Sequence, residues 1–184
     1  NLEKLYLNGT QITDAELVHL KGLTNLEKLY LNGTQVSAAG LVHLAGMNLK
    51  ELYIPVQAKT DTGLKHYLAA IEPTTLFLFG WKITDAGLVH LKGLTNLEKL
   101  WLPSRITDAW LVHLKGLTNL RELYLERTLI TDAGIEQLAG MNLRSLGIPN
   151  QAKTDLGLKH ILSAVQPSTH LSLSNWQITD AGLL

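Results

Sequence analysis

Apolar and polar residues alternate along this chain in short bursts that return at a regular interval. Leu5-Tyr6-Leu7 shows the two-residue period of a half-buried strand. Leu2, Leu5 and Leu7 are expected in the core, with Lys4, Tyr6 and Asn8 on the outward face of the sheet. Asn8-Gly9 predicts a turn, after which Ile12 returns to the core. Thr13-Asp14 predicts a helix start. Thr13 as N-cap accepts a bond from a free backbone N–H, and Asp14 sits at the positive helix end. Glu16 completes a T-x-x-E capping box. Leu17 and Leu20 form the helix's apolar side. Gly22 is expected to close the helix in the left-handed conformation with Leu23 packing just beyond it, and Thr24-Asn25 turns into the next strand.

This unit is written eight times. Its anchor leucines are Leu5, Leu29, Leu52, Leu76, Leu100, Leu123, Leu146 and Leu171, spaced by 24, 23, 24, 24, 23, 23 and 25 residues. A period in the twenties carrying L-x-x-L-x-L predicts an α/β leucine-rich solenoid. One unit cannot bury its leucines alone, but stacked copies can, as a parallel sheet on one side and helices on the other. A second period lies over the first. Ala45-Gly46-Met47-Asn48-Leu49 returns at Ala139–Leu143, Gln57–Asp61 returns at Gln151–Asp155, and Trp81 returns as Trp176. The chain therefore reads as one solenoid over residues 1–184 with a duplicated four-repeat block, about 1–95 and 96–184.

The helix starts Ile83-Thr84-Asp85-Ala86-Gly87-Leu88 and Ile130-Thr131-Asp132-Ala133-Gly134-Ile135 resemble those of the leucine-rich repeat family, in particular bacterial arrays of the ribonuclease-inhibitor-like or GALA-like kind. The resemblance implies a curved horseshoe with a concave parallel sheet, an α-helix per repeat on the convex side, and recognition of a protein on the concave face. Several copies depart from the family pattern. The residue that caps the turn, Asn or Cys in many members, is Thr10, Thr34 and Thr128 here, but Trp81 and Trp176 in copies four and eight. Copy two has Ser37-Ala38 in place of Thr-Asp. Copies three and seven carry Lys59 and Lys153 where Ile is expected, so rearranged loops are predicted there. These same copies end in longer helices that close at Pro73 and Pro167, and their Ile54-Pro55 and Ile148-Pro149 mark where the strand leaves the sheet. The Ile-Pro pair is either inheritance of one odd block or a paired rim feature.

Composition removes several functions. Sixteen basic side chains balance sixteen acidic ones, and 46% of residues are apolar. A neutral chain lacks the footprint for binding nucleic-acid backbones or anionic membranes. Without cysteine there are no disulfides, thiolate nucleophiles or Cys-based zinc sites. This fits a reducing cytosol, and it fits cysteine-free secreted bacterial proteins as well. No apolar run approaches the ~20 residues of a membrane span. All seven aspartates (Asp14, Asp61, Asp85, Asp108, Asp132, Asp155 and Asp180) fall in the helix start, and none is spare for a catalytic dyad. His19, His43, His66, His90, His113 and His160 share one helix register. Helices packed roughly 8–10 Å apart hold imidazoles too far apart for zinc bonds of ~2.0–2.1 Å. His170 precedes the last strand without an obvious partner. No phosphate loop or hydrolase motif is present. Neither catalysis nor a cofactor is expected.

The outward position between the strand leucines is different. It reads Tyr6, Tyr30, Tyr53, Phe77, Trp101, Tyr124, then Gly147 and Ser172. Six aromatics on strands ~4.7–4.9 Å apart predict a stripe of roughly 24 Å, and Phe79 joins it beside Phe77. Aromatics anchor protein interfaces, and exposed apolar stripes mark binding sites. Ladder packing between neighbouring rings is the competing reading, and both can hold. Lys4, Lys28 and Lys99 share this face with Glu51 and Glu122, as a solvated face of mixed sign would. The favoured reading is a protein or peptide partner on this stripe. A carbohydrate surface and a purely structural or engineered array are the alternatives. Trp110 replaces a helix-start glycine and is expected to be partly exposed, as a second contact or as cover for a neighbouring helix. Leu2 and Leu183-Leu184 at the two ends predict a fragment of a longer array or end-to-end self-association.

Overall fold

The computed structural model describes residues 1–165 and 175–180. Pro167, His170, Leu171, Ser172, Leu183 and Leu184 lie outside the described residues. The chain divides into two compact units, Asn1–Pro73 with Trp81–His90 and Thr74–Gly80 with Leu91–Leu184.

The first unit holds strands β1 (Lys4–Tyr6), β2 (Lys28–Tyr30) and β3 (Glu51–Tyr53). They pair in parallel with Leu5, Leu29 and Leu52 in register, as the anchor spacing requires. Its helices are α1 (Asp14–Leu17), α2 (Asp61–Ala70) and α3 (Asp85–Leu88), with 3₁₀ turns at Val18–Gly22, Gly40–Leu44 and Val56–Ala58. Leu17, Leu29, Leu31, Leu41, Leu44 and Leu64 are fully buried between sheet and helices. Leu2 is not in this core. It is 44% exposed, because β1 is the edge strand and its outer side has no described neighbour.

The second unit repeats the plan with β4 (Thr75–Phe77), β5 (Lys99–Trp101), β6 (Glu122–Tyr124) and β7 (Ser145–Gly147), parallel with Leu76, Leu100, Leu123 and Leu146 in register. Helices α4 (Asp108–Leu111), α5 (Asp132–Glu136) and α6 (Asp155–Ala164) cover the inner side of this sheet. Each unit is thus an α/β repeat solenoid.

Most α-helices here are a single turn, too short to persist alone, and they are held by burial and by their caps. Thr13, Thr60, Thr107 and Thr154 each accept a first-turn N–H, and Thr13 and Glu16 form the reciprocal box. In copy two, where Ser37-Ala38 replaces Thr-Asp, only the 3₁₀ turn forms. Gly22 does not take the left-handed conformation. The 3₁₀ turn runs through it, and Leu23 makes the exit at φ −88° and ψ 66°.

The aspartates do more than favour their own helix ends. The Asp14 carboxylate accepts the N–H and hydroxyl of Ser37 one copy later, at 2.7 and 2.6 Å. Asp61 takes Thr84, Asp108 takes Thr131 and Asp155 takes Thr179 in the same two-pronged way. These clamps explain the glycine of Thr-Asp-Ala-Gly. A Cβ on Gly40, Gly87 or Gly134 would lie 2.0–2.1 Å from the clamping oxygen of Asp14, Asp61 or Asp108.

Copies three and seven are rearranged as their lysines predict. The strands end at Tyr53 and Gly147, the chain passes Pro55 and Pro149 into 3₁₀ turns, and Ala58 and Ala152 fill the core position. Gln57 Nε2 donates to the carbonyls of Thr34 and Val36 in the preceding copy, and Gln151 Nε2 donates to those of Thr128 and Ile130. The expected exposure of Trp110 is wrong. The first turn of α4 faces the core, and its indole is 1% exposed, with Nε1 unpartnered among the described residues.

Candidate interaction surface

Each three-residue strand turns its central leucine inward and its two end residues outward, and the register brings the aromatic at the third position of each strand into ranks. In the first unit Tyr6, Tyr30 and Tyr53 stack, with centroids 4.5 and 4.8 Å apart and planes within 10°. In the second unit Phe77, Trp101 and Tyr124 stack at 4.2 and 4.3 Å. The six predicted residues therefore form one three-ring stack in each sheet. Tyr6 and Phe77 are both 61% exposed and Tyr53 is 47% exposed, while Tyr30, Trp101 and Tyr124 are half-buried by their neighbours.

Stacking decides what each ring offers. The inner rings turn both faces to other rings and present only edges to solvent, and those edges carry the positive rim of the aromatic quadrupole. Phe79, 57% exposed, stands apart from the stack. The guanidinium of Arg127 lies over its face, 4.7 Å from the centroid. After Tyr124 the column ends at Gly147, where a Cβ would lie 2.1 Å from a Glu126 carboxylate oxygen. That carboxylate fills the seventh position.

Each stack is flanked by a Lys-Glu-Tyr triad, with lysine and tyrosine on one strand in the first unit and glutamate and tyrosine on one strand in the second. Tyr30 Oη donates to Glu51 Oε2 at 3.0 Å, and the Lys28 ammonium bonds the other oxygen of that carboxylate. Lys28 holds Glu51 below the usual carboxylate range, with Tyr30 adding to this, and Glu51 in turn raises Lys28. The bond to Glu51, reinforced by burial, pushes the Tyr30 phenol up to about 12. In the second unit Tyr124 Oη donates to Glu122 Oε2 at 3.0 Å and Lys99 bonds Glu122 at 2.8 Å, which lowers Glu122 and raises Lys99. Of the mixed charge on this face, Lys28 with Glu51 and Lys99 with Glu122 are thus paired.

The histidine row comes to no chemical cluster. His160 Nδ1 meets the carbonyl of Asp132 at 2.9 Å. Among the described residues no group of three potential ligands could hold a metal ion, and no helix is long and apolar enough to cross a membrane.

Known proteins can now be set beside this geometry. Residues 1–43 match the family model described as Leucine Rich repeats (2 copies). The matched stretch is the first two copies. The match spans β1, α1 and β2, where the anchors Leu5 and Leu29 and the first aspartate clamp lie. It supports a leucine-rich repeat family, and the fold class is that of an α/β leucine-rich repeat solenoid. No curated protein matches the chain. Among solved structures, a chain of the octameric complex of Latrophilin 3 (Lec, Olf), Unc5D (Ig, Ig2, TSP1) and FLRT2 (LRR) is similar at 17% identity and a TM-score of 0.41. That similarity covers 89% of this chain and 73% of the other.

Sequence reasoning missed the clamps, the two glutamines and the Arg127–Phe79 pair. The clamps did leave a signal, since Asp14 precedes Ser37, and Asp61 precedes Thr84, by one repeat length of 23 residues.

Proposed function

We propose that this chain is a non-enzymatic scaffold that holds a protein or peptide partner on the outward, aromatic faces of its sheets. The contact residues are Tyr6, Tyr30 and Tyr53 in the first unit and Phe77, Phe79, Trp101 and Tyr124 in the second. The chain reads as one array with a duplicated four-repeat block, about 1–95 and 96–184. Its Ile-Thr-Asp-Ala-Gly-Leu helix starts favour the bacterial ribonuclease-inhibitor-like or GALA-like type. The observation that carries the proposal is the pair of three-ring stacks with solvent-facing edges. Aromatic area of this kind, exposed and flanked by paired polar groups, supplies interface anchors at low conformational cost.

The same observation weighs against sugar recognition. A sugar ring stacks on an open aromatic face, and here the inner faces are already covered by neighbouring rings.

The test is replacement of Tyr53, Phe77 and Trp101 together by alanine. The far-UV circular dichroism is expected to stay close to that of the parent, while proteins that the parent captures from its own source are lost. Full retention of those partners by the folded variant overturns the reading, and so does specific binding confined to a glycan array.

A further inference from the structure

The two halves of the sequence build the same groove twice and charge it differently. Each groove lies where the helix-side turns of two successive copies meet the entrances to their strands. The first, of about 800 Å³, is lined by Lys21 and Lys50 together with Glu3 and Glu27. Its cations and anions balance, and Lys50 pairs directly with Glu27. The second, of about 620 Å³, is lined by Lys115, Arg121 and Arg144, with Gly140 and Asn142 on its wall and no acid in its lining. Position for position, 94 residues apart, Lys115 stands for Lys21, Arg121 for Glu27 and Arg144 for Lys50. Glu98, the counterpart of Glu3, does not line it.

Charge at the end of a helix does not account for this difference. Lys21 and Lys115 both close a 3₁₀ turn, so a cation there is common to the two grooves. What changes is the acid-to-arginine exchange at 121 and the lysine-to-arginine exchange at 144. Arg121 Nη1 donates to the carbonyls of Thr118 and Leu120 at 3.2 and 3.1 Å, which fixes the plane of its guanidinium. Its Nε and Nη2 have no partner among the described residues. Arg144 makes no ion pair there either, and the acid that feels its charge, Glu122, already bonds Lys99 and Tyr124. Three like charges around one concavity repel one another until a counter-anion enters. Two arginines suit a tetrahedral oxyanion, because each guanidinium can give two parallel N–H bonds to it.

We propose that the second groove binds an oxyanion of the phosphate type, either free or carried on a phosphorylated peptide. The test titrates the intact chain at constant ionic strength with sodium phosphate, with a phosphoserine tripeptide and with the unphosphorylated tripeptide. Nuclear magnetic resonance follows the amides of Gly140 and Asn142 and the Nε–H of Arg121 and Arg144. Gly46 and Asn48, at the matching places of the first groove, are the control within the same molecule.

Saturable shifts are expected in the second groove alone and only with phosphate-bearing probes. Arg121→Glu, which restores the charge of the first groove, is expected to weaken binding at least tenfold, and Arg144→Gln serves if that variant does not fold. Glu27→Arg is expected to create saturable shifts at Gly46 and Asn48. Tighter binding of the phosphopeptide identifies a polypeptide-borne group, whereas equal or tighter binding of phosphate identifies the free anion. Shifts that are non-saturable, equal in the two grooves or unchanged in the arginine variants overturn the proposal.

Discussion

Tyr30 gives its phenolic proton to Glu51, and that bond ties a ring of the stack to the ion pair beside it. The neutral phenol is the favoured form, so its pKa of about 12 lies above the unfolded value, ~10. The contribution of this bond is therefore complete below ~pH 10 and is lost as pH rises through the folded value. Glu51 has the opposite sign. Its lowered pKa contributes stability above the unfolded carboxyl value of ~4.3, and that stability is lost as pH falls through the folded pKa. The triad holds fully between those limits. In a phenolate absorbance titration, Tyr30 and Tyr67 are expected to ionise late, since Tyr67 is also pushed to about 12, by burial. Tyr30→Phe removes one late step, and Glu51→Gln brings Tyr30 back toward ~10. An unchanged curve for Glu51→Gln is the result that contradicts this account.

Between elements, the aspartate clamp and the glutamine bridge hold successive copies together. Copy six uses both toward copy seven, since Asp132 accepts the Thr154 hydroxyl at 3.0 Å while Gln151 reaches back to two carbonyls. Copy two has Ala38 in place of an aspartate, so its junction with copy three has Gln57 without the clamp. Gln57→Ala is therefore expected to cost more than Gln151→Ala, with each loss about 1–3 kcal/mol in urea unfolding. Ala38→Asp is expected to supply the missing clamp to Thr60 and to reduce the cost of Gln57→Ala. A Cβ on Gly63 would lie 3.5 Å from that of Ala38, so the glycine leaves space beside residue 38. Equal costs at the two glutamines, unaffected by Ala38→Asp, would refute this division of labour. The strands and helix starts were legible in the sequence because a two-residue alternation and a Thr-Asp cap are local signals. Gln57 was not legible in its role because its partners lie a full copy away, and the one signal of the Asp14 clamp was the 23-residue spacing to Ser37. Trp110 was misjudged because a helix start can face the core as well as solvent.

At the scale of the whole chain, charge is balanced while its local distribution is not. Sixteen cations offset sixteen anions, so little long-range attraction to a nucleic-acid backbone is expected even though one groove is basic. Retention on immobilised duplex DNA is accordingly expected to vanish by ~0.15 M salt, and retention that survives well beyond that would show a cooperating basic surface. The aromatic column was plain in the sequence as a column, whereas its division into two stacks was set by strand pairing, which no single repeat reveals. That division has an optical consequence. The first stack is wholly phenolic and the second has an indole, Trp101, at its centre. A partner seated on the second face touches Trp101 and changes its share of the emission from the four indoles, while one seated on the first acts on tyrosine rings. The two faces thus carry different chromophores, and with Trp81, Trp110 and Trp176 replaced by phenylalanine the emission of Trp101 alone is expected to report the second face.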